Sequence, residues 1–383
     1  METTKLNVPL VDLKAQQAEI DEEVKTGLAE VFANTSFIGG APVTEFEEAY
    51  ATFLGAAHCI GASNGTDALE LALRGAGITT GDEVILPANT FIATAEAVCR
   101  VGAVPILVDV DPEYLLMDAS KVADVITGRT KAIMPVHLYG QSAFIEELEP
   151  LAEAYGLHII EDAAQSQGAT RHGRAAGTIG LAAGTSFYPG KNLGAAGDAG
   201  GVITNDAQLA GRVRVLGYHG SATKYEHDVI GFNARMDTVQ AVVLNAKLKR
   251  LAGWNQLRRE AATRYGELLG DIPGVRAPQS APGNEDVWHL YVIRVQERDR
   301  VLKALNEAGI GAGIHYPYPL HLTKAFAHLG HKAGDFPVSE EAATQILSLP
   351  LHPHISVEEQ QYVVGRLAEI VSANFQNLPN SNE

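Results

Sequence analysis

The sequence predicts an α/β protein built on a mostly parallel central sheet, with a smaller α+β unit after it. From about Asp82 to Asn205, short apolar runs alternate with amphipathic stretches, the order expected of successive βα units. The apolar runs are nearly continuous rather than alternating, which implies strands buried on both faces. The chain has 383 residues, more than one hydrophobic core usually organises, so a large domain with a smaller companion is expected.

The expected strands of the large unit are EVILPA (Glu83 to Ala88), VPILVDV (Val104 to Val110), KAIMPVHL (Lys131 to Leu138), HIIE (His158 to Glu161), TSFY (Thr185 to Tyr188) and GGVITN (Gly200 to Asn205). Between them, ATAEAVCRVG and IEELEPLAEAYG carry apolar residues at helical spacing and close on glycine, as crossover helices do. A long helical stretch runs from about Asp237 to Leu269. The turn-rich DIPGVRAPQSAPGNED then breaks the pattern. Beyond it stand a strand, WHLYVIRV (Trp288 to Val295), a helix, RDRVLKALNEAG (Arg298 to Gly309), and a terminal helix near Val357 to Phe375. This divides the chain into residues 1–250 and 251–383. The polar tail NLPNSNE is expected to fray.

The apolar share is 46% and the charged share 20%, so neither a disordered nor a fibrous class is needed. Acidic residues exceed basic ones, 46 to 29, giving a net charge of −17, which opposes binding to nucleic acid or to an anionic membrane surface. An anionic substrate therefore needs local basic groups. No run approaches the ~20 apolar residues of a membrane span, and the start METTKLNVPLVDLKAQQ has no leader pattern, so the cytoplasm is the expected compartment. Cys59 and Cys99 stand in apolar surroundings and suit a reduced, structural role.

Three stretches carry chemistry. In SNGTDALELAL (Ser63 to Leu73), a small polar run opens an amphipathic helix, so the N–H groups of Gly65 and Thr66 and the Thr66 hydroxyl suit a phosphate; the same residues also make an ordinary turn and N-cap. In GLHIIEDAAQSQG (Gly156 to Gly168), a strand ends in two carboxylates that the pleat sends to opposite faces, so one of Glu161 and Asp162 enters a pocket; a helix N-cap at Asp162 is the other reading. In GTSFYPGKNLGAAGDAGG (Gly184 to Gly201), Lys191 stands in a glycine-rich loop between apolar runs. Either it is a solvated loop lysine, or it is a partly desolvated amine ready to attack a carbonyl.

A nucleotide-phosphate loop is excluded because five residues separate Gly184 from Gly190 and Asn192 stands where Ser or Thr is required. Gly75, Gly77 and Gly81 follow a helix with the wrong spacing for a dinucleotide fingerprint. His352 with His354, and His328 with His331, lack companions at zinc-type spacing, so no metal is expected. Together, a phosphate seat, a carboxylate at a strand end and a loop lysine are what pyridoxal phosphate asks of a protein.

The series PLVDL, FIGG, SNGTDAL, PANTFIATAEAV, PVHLYG, EDAAQSQGA, SFYPGKNLGA, GFNARMDTVQA, GIHYPYPLHL and SLPLHPHI resembles the DegT/DnrJ/EryC1/StrS family of sugar aminotransferases over nearly the whole chain. The resemblance implies the aspartate-aminotransferase-like pyridoxal phosphate fold, fold type I. It further implies that Lys191 carries the Schiff base, that Asp162 pairs with the ring nitrogen, that Gln165 bonds the ring hydroxyl oxygen and that Phe91 stacks on the ring. Gly65, Thr66 and Ser186 would hold the phosphate, helped by Asn233 from a neighbouring subunit, which makes a homodimer with shared active sites the expected assembly.

L-glutamate is the implied amino donor and a dTDP- or UDP-linked keto-sugar the acceptor, at the 3-keto position first and the 4-keto position next. Lys224, Tyr225, Arg235, His315, Tyr316 and His321 are the candidates for sugar-nucleotide binding, since basic and aromatic groups suit a diphosphate and a base. Structural uses compete: Tyr316 and Tyr318 also suit a turn, and His137 a satisfied strand histidine. Relatives that dehydrate sugars carry histidine in place of the lysine, so Lys191 argues against that chemistry. Keto-inositol amination and a non-catalytic sensor on the same fold stay open.

Overall fold

The computed structural model describes residues 6–270 and 272–375; the expected frayed tail NLPNSNE lies outside them. The described residues build a seven-stranded sheet from β1 (His58–Ala62), β2 (Glu83–Pro87), β3 (Val104–Val108), β4 (Thr130–Ile133), β5 (His158–Asp162), β6 (Ala182–Ser186) and β7 (Gly200–Thr204), in the order β1-β7-β6-β5-β4-β2-β3. Pairing is parallel from β3 through β6, while β7 runs antiparallel to both of its neighbours.

The pleat explains why the strands read as unbroken apolar runs. Val84 and Leu86 pack with Ile160 and Val202 into one core, while Ile85 and Ile159 between them pack into another on the opposite face. The first face is covered by α3 (Gly65–Gly75), α4 (Ile92–Arg100) and α6 (Ala207–Gly217). The second is covered by α5 (Ile145–Tyr155) at one end, and at the other by α2 (Ala41–Leu54) and the first half of α7 (Thr238–Leu269), on which α1 (Leu13–Asn34) packs.

The smaller unit is a sheet of β8 (Val275–Arg276), β9 (Tyr291–Val295) and β10 (Ile346–Leu349), packed on α8 (Arg298–Glu307) and α10 (Val357–Phe375), with α9 (Pro337–Gln345) leading directly into β10. Its core also takes Val8 from the start of the chain and Ala261, Tyr265 and Leu269 from the far half of α7. Residue 250 thus falls within one continuous 32-residue helix whose two halves serve two different cores.

Three strand boundaries differ from expectation by about three residues or more. The run from Lys131 stops as a strand at Ile133, because Pro135 has no N–H to continue the ladder, and Val136 makes only an isolated bridge to Asp162. The strand after Trp288 begins at Tyr291, since Trp288 turns into the left-handed region with φ 47°. The strand expected at Thr185 begins earlier, at Ala182, in residues too small to signal a strand. Their size is needed for helix packing: a Cβ at Gly184 would lie 2.7 Å from Leu69 Cδ2 and 2.9 Å from the Leu69 backbone nitrogen on α3.

That contact seats α3 against the end of β6. Gly184→Ala is therefore expected to destabilise the fold by about 1–3 kcal/mol through overpacking, read as a lowered melting temperature. An unchanged melting temperature would mean that α3 is not held there by close approach.

Candidate active site

The carboxyl ends of β5 and β6, the first turns of α3 and α4, and residues from the smaller unit enclose a cavity of about 680 Å³. Ligands in open α/β sheets bind at this edge.

At α3, Asn64 is the N-cap: its Oδ1 accepts from the Asp67 N–H at 2.8 Å and its backbone carbonyl from Ala68 N–H at 3.0 Å. Among the described residues no acceptor engages the N–H groups of Gly65 and Thr66, which line the cavity at the positive end of the helix. Ser186 stands against them, so close that a Cβ at Gly65 would be 2.6 Å from Ser186 Cβ. Asn64 thus realises the cap reading, while the N–H groups of Gly65 and Thr66 are left available to an anion.

At β5 the pleat separates the two carboxylates as expected. Glu161 turns away from the cavity and accepts from the N–H groups of Gly177, Ile179 and Gly180 and from His137 Nε2 at 2.8 Å. His137 Nδ1 accepts from Ala143 N–H, so the ring is a neutral, satisfied histidine. Asp162 lines the cavity, and no helix follows it. Its Oδ2 accepts from the Thr94 hydroxyl at 2.7 Å and its Oδ1 from Ala164 N–H at 3.1 Å. Burial pushes its pKa up, opposed by those two donors and by Lys191.

Lys191 is not a solvated loop lysine. Its loop folds back on itself through Lys191 N–H to Tyr188 O and Ala195 N–H to Phe187 O, which points the amine into the cavity. Desolvation lowers its pKa to about 8, against the pull of Asp162. Around this pair, Gln165 Oε1 accepts from Tyr139 N–H at 2.7 Å while its Nε2 donates to the Tyr316 hydroxyl at 3.1 Å. Phe91, the N-cap of α4, faces the Tyr316 ring at 5.1 Å. His315 is anchored through Nδ1 to Ser348 Oγ at 2.8 Å, and burial lowers its pKa to about 4.

The structure therefore brings Gly65, Thr66, Phe91, Asp162, Gln165, Ser186, Lys191, His315 and Tyr316 to one cavity. Asn233 and Arg235 line a neighbouring cavity of about 310 Å³ instead, with Asp198 on the wall between the two. Lys224 and Tyr225 sit at the tip of a hairpin, Tyr225 82% exposed, and do not line the main cavity. His321 is a correction. Its side chain is fully buried, bonded through Nε2 to Glu340 at 3.0 Å, and that carboxylate also caps the Gly334 and Phe336 N–H groups; the ring braces a loop and does not reach the cavity.

Tyr188 and His289 are among the lining residues that the sequence did not single out. Tyr188 lies three positions before Lys191, and that proximity was the available signal. His289 was visible as a polar residue next to an apolar strand. Its Nδ1 faces Asn192 Oδ1 at 3.3 Å, and Asn192 Nδ2 donates to Val287 O at 2.8 Å, so the imidazole donates from Nδ1. Burial holds its pKa well below the ordinary histidine value, and Lys191 adds to that.

Residues 18–368 match the DegT/DnrJ/EryC1/StrS aminotransferase family. The chain belongs to this family. It is 45% identical over 95% of its length to a pleiotropic regulatory protein of Geobacillus stearothermophilus, covering 98% of that protein. It is 44% identical over 95% of its length to the UDP-N-acetyl-3-dehydro-α-D-glucosamine 3-aminotransferase of Acidithiobacillus ferrooxidans, covering 97% of it. Among solved structures, S. venezuelae DesV in complex with a ketimine intermediate superposes with a TM-score of 0.93 at 42% identity, over 95% of this chain and 98% of that one. DegT/DnrJ/EryC1/StrS aminotransferases depend on pyridoxal phosphate.

A lysine with its pKa lowered to about 8 is neutral above that pH, two to three pH units below where a surface lysine loses its proton. Competitive acylation of the cofactor-free protein, followed by peptide mass spectrometry, should show Lys191 labelling with a midpoint near pH 8. A midpoint at the ordinary lysine value would contradict its desolvation.

Proposed function

We propose that this aminotransferase moves the amino group of L-glutamate to a dTDP- or UDP-linked keto-deoxysugar at its 3-keto position. The observation that carries the reading is the joining, in one cavity, of a desolvated lysine, a buried carboxylate and a helix N-terminus with open N–H groups. These match in kind the aldehyde, ring nitrogen and phosphate of pyridoxal phosphate. When bound, the cofactor supplies a carbonyl that takes up the donor nitrogen and a ring that withdraws electrons from the carbon losing its proton.

The chain's own groups do the rest. Gly65, Thr66 and Ser186 would hold the phosphate, Phe91 would cover the ring, and Gln165 would donate to the ring hydroxyl oxygen. Asp162 would pair with the ring nitrogen. Lys191 would anchor the cofactor and, as a free amine, would carry protons as general base and acid on one face of the site. An amine with a pKa of about 8 suits both tasks near neutral pH.

The main cavity of one chain is poor in positive charge for a nucleotide diphosphate. Glu96, Asp162 and Asp198 line it against Lys191 and Arg100, and Arg100 is already bound by Asp67 and Glu70. A homodimer repairs this if the partner lends cations. Arg235, Asn233 and the exposed Lys224 are the groups we assign to that task, with His315, Tyr316 and Tyr188 contacting the sugar from the same chain. Phe37, Ile38 and Ile230, exposed by 42%, 52% and 97%, supply apolar surface for such an interface. Among the described residues no helix is long and apolar enough to cross a membrane, which agrees with a cytoplasmic enzyme.

The test is to load the protein with pyridoxal phosphate, add excess L-glutamate, then a panel of dTDP- and UDP-linked 3-keto and 4-keto sugars and keto-inositols. The visible band of the cofactor should fade with glutamate and return with a 3-keto-sugar, with the amino-sugar product seen by mass spectrometry. Return only with a 4-keto-sugar or keto-inositol would remove the acceptor assignment. A second reading, a sensor that binds the cofactor without turnover, is favoured by the name of the 45% identical regulatory relative; failure of every amino donor would select it. Arg235→Ala should raise the KM for the sugar nucleotide about tenfold or more with little change in kcat, and an unchanged KM would remove Arg235 from that site.

A further inference from the structure

Thr94 lies in the first turn of α4 and is completely buried. Its hydroxyl donates to Asp162 Oδ2 at 2.7 Å and stands 2.8 Å from the hydroxyl of Thr90, at the cavity wall. The direction of this chain is fixed by valence. An ionised carboxylate only accepts, so Thr94 gives its one proton to Oδ2 and must itself accept from Thr90. If Oδ2 carried a proton, the order would reverse and run from Asp162 to Thr90. The hydroxyl pair therefore has one arrangement for each charge state of Asp162.

We propose that Thr94, oriented by Thr90, is the positioning residue that holds Asp162 as a carboxylate and thereby sets the protonation of the cofactor ring nitrogen. The proposal rests on the reading that Asp162 faces that nitrogen. Among the described residues, nothing else packed around Asp162 does this task fully. The loop after β4 brings His137, the weakest of the influences that lower the Asp162 pKa, whose ring is engaged with Glu161 and the Ala143 N–H. Glu161, on the same strand, points to the other face. Tyr316, from the smaller unit, is a neutral phenol whose ionisation Asp162 itself opposes. Lys191 is the cation that acts on Asp162, yet burial shifts it toward the neutral amine near pH 8, and it is consumed in holding the cofactor. The Ala164 N–H serves only Oδ1.

The same helical turn places Phe91 over the cavity, with Thr94 N–H bonded to Phe91 O at 3.2 Å. One short segment would thus set both the stacking face and the charge of the ring.

Thr94→Val keeps the shape and removes the proton donor. The loss of a hydrogen bond to a charged group is expected to weaken pyridoxal phosphate binding about tenfold, read by quenching of protein fluorescence. It should also move the pH midpoint at which the absorbance of the bound cofactor changes, with the melting temperature close to that of the parent. Thr94→Ser should restore both values. Thr90→Val leaves Thr94 but removes the donor behind it; an effect of about threefold is expected, and it serves the same test if Thr94→Val does not fold.

Asp162→Asn is the control that separates the two ideas. If Asp162→Asn impairs binding while Thr94→Val and Thr90→Val match the parent, the proposal is overturned and the reading of Asp162 stands. If Asp162→Asn leaves affinity and absorbance unchanged, the reading of Asp162 fails, and the proposal with it.

Discussion

The site depends on holding a carboxylate and a half-buried amine side by side where both are partly withdrawn from water. Asp162 and Lys191 are each pushed by burial toward their neutral forms, and each resists the shift in the other. Much of the surrounding structure can be understood as the means of holding this pair. The pleat of β5 aims Asp162 inward while Glu161 faces the other side, where it fastens His137 and three backbone N–H groups. The loop after β6 turns on itself to present the lysine, and Asn192, the next residue, ties that loop to Asn255 on α7 and to Val287 ahead of β9. Cavity floor and cavity wall are therefore joined through buried polar contacts, which tolerate little slack.

The second constraint is charge. With an excess of 17 acidic residues, and with Glu96, Asp162 and Asp198 set against only Lys191 and Arg100 in the cavity, a single copy of the chain is poorly suited to an anionic sugar nucleotide. The basic groups with a plausible task, Lys224 and Arg235, are held away from their own cavity, on a hairpin tip and in the adjoining recess. The homodimer we propose would reconcile these facts, because the cations that each chain withholds from itself would be available to another. It would also separate the work: cofactor chemistry would belong to groups set deep in one chain, and acceptor choice to groups at its rim and in its partner.

Much of this was legible in the sequence, where chemistry and periodicity coincide. The buried strands announced themselves as apolar runs, Glu161 and Asp162 as carboxylates closing such a run, with the family resemblance choosing Asp162 between them, and Lys191 as a charge between two runs. What stayed hidden was set by packing or by distant pairs. Ala182 to Gly184 form part of a central strand although they have no strand signal, because α3 presses on them and leaves no room for larger side chains. Thr94 reads as one more residue on a helix and meets Asp162 only because the fold joins positions 68 residues apart. His321 looked available beside other aromatic and basic groups, yet Glu340, 19 residues on, claims it for a structural brace. A sequence shows which residues could do chemistry; their facing is decided by contacts it does not display.

The central claim is that Lys191, and no other amine, takes the cofactor. Lys247 makes this a real contest, since burial lowers its pKa to about 8 as well, but no carboxylate acts on it. Reducing the loaded protein with borohydride and mapping its peptides would decide between them. The account predicts a stable pyridoxyl phosphate adduct on the peptide carrying Lys191 alone. An adduct on Lys247, or label spread over surface lysines, would contradict it.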